Sequence, residues 1–422
     1  MKRRTFSNFL VDVLTIASFV LMFVSQFRLL SMYNYLCLGC VMALFLIIMT
    51  DRSYKMKQTS VFTVCMIYVL WTSLFPLLLG HSQMFNRYVS LSEGFIFFLV
   101  YKYNGAVRGH AANKRMMIAL LVILLYPTAF TLLALAENGS ACRSIKSSFE
   151  PGDSSYYYFL RGVLGYELIY STMLMSIALF GLYLFSGQNI SKKLKIIIIA
   201  YIALFTILVV MSNYFTATVL LFLGYVLVFV LKRGAKTLVF LIPLIMIYAI
   251  GKNTINEGVM NVALTVVPEG KTHDRIELIK NNIGKDNDDL EELDSREETN
   301  ERSIGLIFEY PIAGYIADGN FFLSNVGQHS YVLDTMGLYG IPIGLLGCYA
   351  MILPIVALYR REKNGLLKRF CLIVGCMFFF LLFRNNTTVT IGCSAYFFIP
   401  TIYSQLKEYL YEKDTHRRAL VQ

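Results

Sequence analysis

The chain has 422 residues, 56% of them hydrophobic and only 15% charged, which excludes a water-soluble globular protein. Its apolar residues gather into blocks of about 17–25, the length a helix needs to cross roughly 30 Å of hydrocarbon, and the alternating strands of a membrane barrel are absent. A formal net charge of +11 raises nucleic acid as a partner, but the placement of the basic residues argues against one.

In chain order the blocks predict spans at about 8–27, 33–50, 61–79, 88–103, 116–136, 164–186, 194–211, 214–231, 236–251, 330–358, 368–384 and 388–405. The expectation is therefore an all-α polytopic membrane protein of about twelve transmembrane helices, a single membrane domain over 1–422. Lys2-Arg3-Arg4 precedes the first block, but no small-residue cleavage site follows before Arg28, so that block is read as a retained helix. With the N-terminus in the cytoplasm, every even-numbered connection is basic, from Arg52, Lys55 and Lys57 through Lys192, Lys193 and Lys195 to Arg360, Arg361 and Lys363. Both termini are then cytoplasmic, and orientation in the membrane accounts for the charge without a nucleic acid. The cysteines fall almost entirely inside apolar blocks, so no disulfide framework is readable.

Two external regions stand out on this topology. The first, about 137–163, carries Arg143, Lys146, Tyr156-Tyr157-Tyr158 and Arg161. The second, 252–328 between the ninth and tenth spans, is too long for a plain connector. Within it Ile276, Ile279 and Ile283 recur at helical spacing, and an acidic run follows from Asp286 to Glu292. Ser295-x-x-Glu298 matches a capping box and predicts a helix starting there, ended by Pro311 and Gly314. Beyond it, Gly337, Gly340, Gly344 and Gly347 put small residues on the tenth span at the spacing of a close helix-packing face.

The polar residues beside these spans carry the chemistry. Arginine is the natural ligand of a diphosphate, being always charged and able to donate bidentate hydrogen bonds. Arg296 stands in the expected first turn of the loop helix, where a cation opposes the helix dipole and a binding role gains weight. Arg302 follows Glu298 by four residues, the favoured order for a simple helical ion pair. His329 sits where the chain re-enters the membrane and suits a general base or phosphate ligand, the alternative being an interfacial polar residue. Asp334 lies near the start of the span, placed to orient His329 or to act as the base. Glu93 and Glu167 lie within apolar spans and each needs a partner; Arg161 is the nearest cation for Glu167, and Arg384 adds a cation on the same face. Asp286-x-Asp288-Asp289 resembles a metal-binding pair but belongs to a longer, solvated acidic run. No nucleophilic serine motif, zinc spacing or phosphate-cradling glycine loop is present, so neither metal nor cofactor is expected.

Ser295-Arg296, Pro311-Ile312-Ala313-Gly314-Tyr315, His329-Ser330-Tyr331 and the glycines from Gly337 to Gly344 together resemble the bacterial O-antigen polymerase and ligase superfamily. Some fifty residues carry the motif, and the remainder is similar in topology only. The resemblance implies a GT-C-like fold and an inverting, metal-independent glycosyltransferase of the bacterial plasma membrane. Donor and acceptor would be glycans on undecaprenyl diphosphate, with a chain-length regulator and a flippase as partners. By the same resemblance Arg296, Arg302, Arg161, Arg384 and Tyr331 would hold diphosphate or glycan, and His329, Arg296 and Asp334 would be catalytic. Many members place an arginine in the turn that here reads Ser212-Asn213-Tyr214-Phe215, where Phe215 stands instead, so that contact is expected from Arg161 or Arg384. A repeat-unit polymerase is the leading expectation; a ligase to lipid A core or protein, and a flippase of lipid-linked oligosaccharide, are the alternatives.

Overall fold

The computed structural model of the chain describes residues 2–51, 53–54, 60–81, 85–139, 141–145, 153–187, 190–233, 291–319, 321–327, 329–386 and 388–421, with isolated positions from 261 to 277. Within these, the side chains of 2–5, 60–62, 85–93, 233, 291–297, 389 and 412–421 are not described. The expected ninth span at 236–251, Ile276, Ile279, Ile283 and the acidic residues Asp286, Asp288 and Asp289 lie outside the described residues, as does the side chain of Glu93.

The described chain is helical throughout its ordered elements. The helices are α1 (Lys2–Phe23), α2 (Tyr33–Thr50), α3 (Ser60–Leu78), α4 (Phe85–Tyr103), α5 (His110–Glu137), the short α6 (Ser154–Leu160), α7 (Tyr166–Ser186), α8 (Lys192–Met211) and α9 (Phe215–Arg233). After the undescribed stretch come α10 (Glu291–Glu309), α11 (Tyr331–Arg361), α12 (Gly365–Arg384), α13 (Val389–Cys393) and α14 (Ile399–Val421). Among the described residues, 8 of these helices are long and apolar enough to cross a membrane, so the chain is a multi-pass membrane protein. Side chains start several of them. Ser191 accepts the Leu194 N–H at 3.3 Å, Ser330 the Leu333 N–H at 3.2 Å, and Asn364 the Leu366 N–H at 2.9 Å, each satisfying a donor that the first helical turn leaves open.

The centre of the bundle is α7, which is apolar around its whole circumference and buried along most of its length. It packs against α8, α9, α12, α13 and α14. The two ends of the bundle differ. At one end Arg108 pairs with Asp12 at 2.5 Å, Tyr103 donates to Asp51 at 2.7 Å, and Arg369 donates to the Leu231 carbonyl at 3.0 Å. Glu362 is buried there, accepting from Tyr403 at 2.5 Å and from the N–H groups of Lys363 and Asn364 at 2.8 Å. Lys102, Arg360, Arg361, Lys368 and Lys407 also belong to this basic face. Because successive helices run back and forth, the start of α11, the end of α12 and the start of α9 all belong to the opposite face.

Two expectations change at the element level. The loop helix is already helical at Glu291, the first residue described there, four positions before Ser295. Arg296 is therefore one turn further in than the capping box implied. The glycines of α11 do not form one packing face either. Gly340 adopts φ 79°, ψ 166° and breaks the helix, so the glycines before and after it meet different neighbours. A side chain at Gly337 would meet the Ser303 carbonyl of α10 at 3.1 Å, while one at Gly347 would collide with Tyr68 of α3.

Candidate functional site

The break in α11 is filled by the Pro311–Gly314 turn. A helix interrupted at Gly340 frees backbone groups that hydrocarbon cannot satisfy. The N–H of Ile341 donates to the Pro311 carbonyl at 2.8 Å, so the turn supplies the missing acceptor. Gly314 has φ 77° and lies against the backbone of Leu338 and Tyr339; Gly340 lies against the Ile312 carbonyl. A Cβ at either position would collide with main chain, so each motif glycine exists for a close backbone approach as well as for its torsion. Leu306, Tyr315, Ile316, Phe321, Val326, Leu338 and Tyr339 then form a small core of their own, separate from the main bundle core.

A polar lock joins α10 to α11 one turn away. Ser303 is fully buried and donates to Asp334 Oδ1 at 2.7 Å, while its oxygen accepts the Gly327 N–H at 3.1 Å. Asp334 is buried, and that hydroxyl bond offsets part of the cost of taking a carboxylate out of water. Gly327 lies so close to the Thr299 carbonyl that a side chain would collide there. The helix bearing Arg296 and Arg302 is thus clamped to the segment bearing His329 and Ser330.

The predicted residues take distinct places around this lock. His329 is exposed, immediately before Ser330, which caps α11. Its surroundings, at the N-terminal end of α11, favour an anion. Tyr331 is buried; its hydroxyl meets that of Tyr68 at 2.7 Å, and its N–H donates to the Asn385 carbonyl at 3.3 Å. That second bond brings the end of α12, where Arg384 is exposed, to the start of α11. Arg302 is exposed and pairs with Glu298 at 2.7 Å across one helical turn. The backbone of Arg296 lies in α10, and its side chain is outside the described residues.

The pairing expected for Arg161 is corrected. Its guanidinium grips Glu137 with two bonds of 2.6 and 2.8 Å and lies 5.4 Å over the Tyr157 ring. Glu167 instead pairs with Arg28, from the 3-10 turn Ser25–Leu29 between α1 and α2. Burial works against the charge of Arg28, but the charge and hydrogen bond of Glu167, with Tyr33 and Tyr166, together outweigh it and raise the guanidinium pKa. The sequence hid this pair because its partners are 139 positions apart.

The turn before α9 also gains a cation. Asn213 sits at φ 58° and donates to the Gly139 carbonyl at 2.9 Å, while Tyr214 donates to the Cys142 carbonyl at 3.2 Å. These two bonds fasten segment 138–145 over the turn and place the Arg143 guanidinium 5.2 Å over the Tyr214 ring. Arg143 is a basic residue of the same 137–163 region, and nothing in its spacing distinguishes it from Arg161. No family model matches the chain, and no curated protein matches it either.

Proposed function

We propose that the chain is a polymerase of undecaprenyl-diphosphate-linked oligosaccharide repeat units, acting at the outer face of a bacterial plasma membrane by inverting, metal-independent glycosyl transfer. In this reading the basic face and both termini are cytoplasmic, 236–251 completes about twelve spans, the architecture is GT-C-like, and 252–328 is an external loop. The observation that carries it is the joining of the motif's two halves: the Pro311–Gly314 turn fills the break at Gly340, and Ser303 ties α10 to Asp334 beside His329.

Chemically, the acceptor hydroxyl attacks the anomeric carbon of the donor sugar as the carbon–oxygen bond to the lipid diphosphate breaks. His329, exposed at the mouth of α11, takes the hydroxyl proton or contacts the phosphate. The departing diphosphate carries the negative charge, which Arg296 and the start of α11 stabilise, with Arg384 at the adjoining end of α12. Arg143 replaces the arginine that this chain lacks at Phe215. Asp334 is a positioning residue, since its buried carboxylate faces Ser303 and holds the two helices together.

A ligase would use the same donor, and cells distinguish the two. Deleting the gene for a polymerase leaves surface glycan of one repeat unit. Accumulation of long lipid-linked polymer in the deletion strain would instead identify a ligase and overturn the polymerase reading.

A further inference from the structure

The Arg28–Glu167 pair lines a cavity of about 290 Å³ on the same face as His329, apart from every residue assigned above. Five stretches of chain line it: the turn carrying Arg28 and Ser31, the first turn of α2 with Tyr33 and Asn34, the first turn of α7 with Tyr166 and Glu167, Ile145 of segment 141–145, and Phe159 of α6. At roughly 30 Å³ per water the space equals about ten waters, the scale of one sugar ring.

The chemistry of the lining is selective. Arg28 and Glu167 cancel in charge, so the cavity draws neither an anion nor a cation strongly. Both still hydrogen-bond with the strength of charged groups. Arg28 also donates to the Met22 carbonyl at 3.2 Å, but its Nε is buried with no hydrogen-bond partner among the described residues. A hydroxyl group suits both members of the pair, accepting from the guanidinium and donating to the carboxylate. Asn34 adds an exposed amide that can do both, Ser31 a hydroxyl, and Tyr33 and Tyr166 two aromatic rings against which the C–H face of a pyranose packs.

We infer that this cavity is a sugar-binding subsite, holding one ring of a glycan through Arg28, Glu167 and Asn34. The inference leans on the polymerase reading, which brings glycan to this face, but it concerns a pocket distinct from the His329 region.

The test is saturation-transfer difference NMR on the full-length protein in lipid nanodiscs, with galactose and N-acetylglucosamine as probes and inorganic phosphate as competitor. Wild-type protein should transfer saturation to at least one sugar, and phosphate should not compete. Asn34→Ala removes an exposed group outside the ion pair and should weaken binding about fivefold, as the loss of one hydrogen bond does. Glu167→Gln should weaken it further. Thermal unfolding of Asn34→Ala should match wild type, separating loss of binding from loss of fold. No transfer to either sugar, transfer unchanged in Asn34→Ala and Glu167→Gln, or displacement by phosphate would each overturn the subsite. Sugar binding that depends on Asn34 in a protein that elongates no repeat unit would keep the subsite and remove the polymerase reading. Elongation without any sugar signal would do the reverse.

Discussion

Ser303 on α10 and Asp334 on α11 meet through a hydrogen bond of 2.7 Å, buried from solvent on both sides. It ties a charged loop helix to the start of a membrane span, and the residues that flank it are those on which the proposed chemistry depends. Removing the hydroxyl leaves a buried carboxylate without that donor and the Gly327 N–H without its acceptor. Ser303→Ala should therefore destabilise the protein by about 1–3 kcal/mol. Thermal unfolding in detergent checks the stability loss, and Ser303→Thr, which keeps the hydroxyl, should lose less.

The backbone contact between Gly314 and the Leu338–Tyr339 segment makes a second prediction. Gly314→Ala and Gly340→Ala each add a strained positive φ, worth about 1–3 kcal/mol, before any collision with main chain is counted. Both variants should accumulate poorly and unfold well below wild type. Gly305→Ala, in open space on the exposed side of α10, should behave as wild type or better. Equal stability of all three glycine variants would contradict the interlocked turn.

Much of this unit is legible in local signals. Pro311 and Gly314 mark a turn, Ser330 a helix start, and the pair Glu298–Arg302 an ordinary helical salt bridge, because each depends on residues a few positions apart. The partners of those signals are not legible. Nothing in the spacing of the α11 glycines says that Gly340 breaks the helix or that the turn fills the break. The pairing of Glu167 with Arg28, and the placing of Arg143 over Tyr214, depend on which helix ends become neighbours. The Ser295-x-x-Glu298 pattern misleads for a different reason: a capping-box pattern also occurs inside a helix, and this one already extends back to Glu291.

Arg302 and Arg143 should separate in their effects. Arg302 is half exposed and pairs with its helical neighbour Glu298, an interaction worth about 0.3–0.5 kcal/mol, so Arg302→Ala should leave both stability and elongation near wild type. Arg143→Ala should reduce elongation strongly while unfolding shifts little, since a cation over an aromatic ring contributes about 0.5–1 kcal/mol at exposed sites. Elongation assays run beside thermal unfolding on both variants measure this difference.

Glu362 gives the pH dependence. Burial alone would push this carboxyl up, but the Tyr403 hydroxyl, the N–H groups of Asn364 and Lys363, and Lys407 overcome it and hold it at about 2, against an ordinary 4.5. The folded value is depressed, so its contribution to stability is full above pH 4.5 and is lost as pH falls from there through 2. A shift of this size corresponds to about 3 kcal/mol. Wild type should lose stability across that window relative to its neutral-pH value. Glu362→Gln should be less stable at neutral pH and show a shallower acid decline.

The most direct measurement is elongation by the purified full-length protein given undecaprenyl-diphosphate repeat units and read as a ladder on a gel. The account predicts a ladder for wild type without added metal, no ladder for His329→Ala or Arg296→Ala despite normal expression and unfolding, and a near-normal ladder for Arg302→Ala. A wild-type protein that moves the lipid-linked oligosaccharide across liposomes but never lengthens it, or a near-normal ladder from His329→Ala and Arg296→Ala, would contradict it.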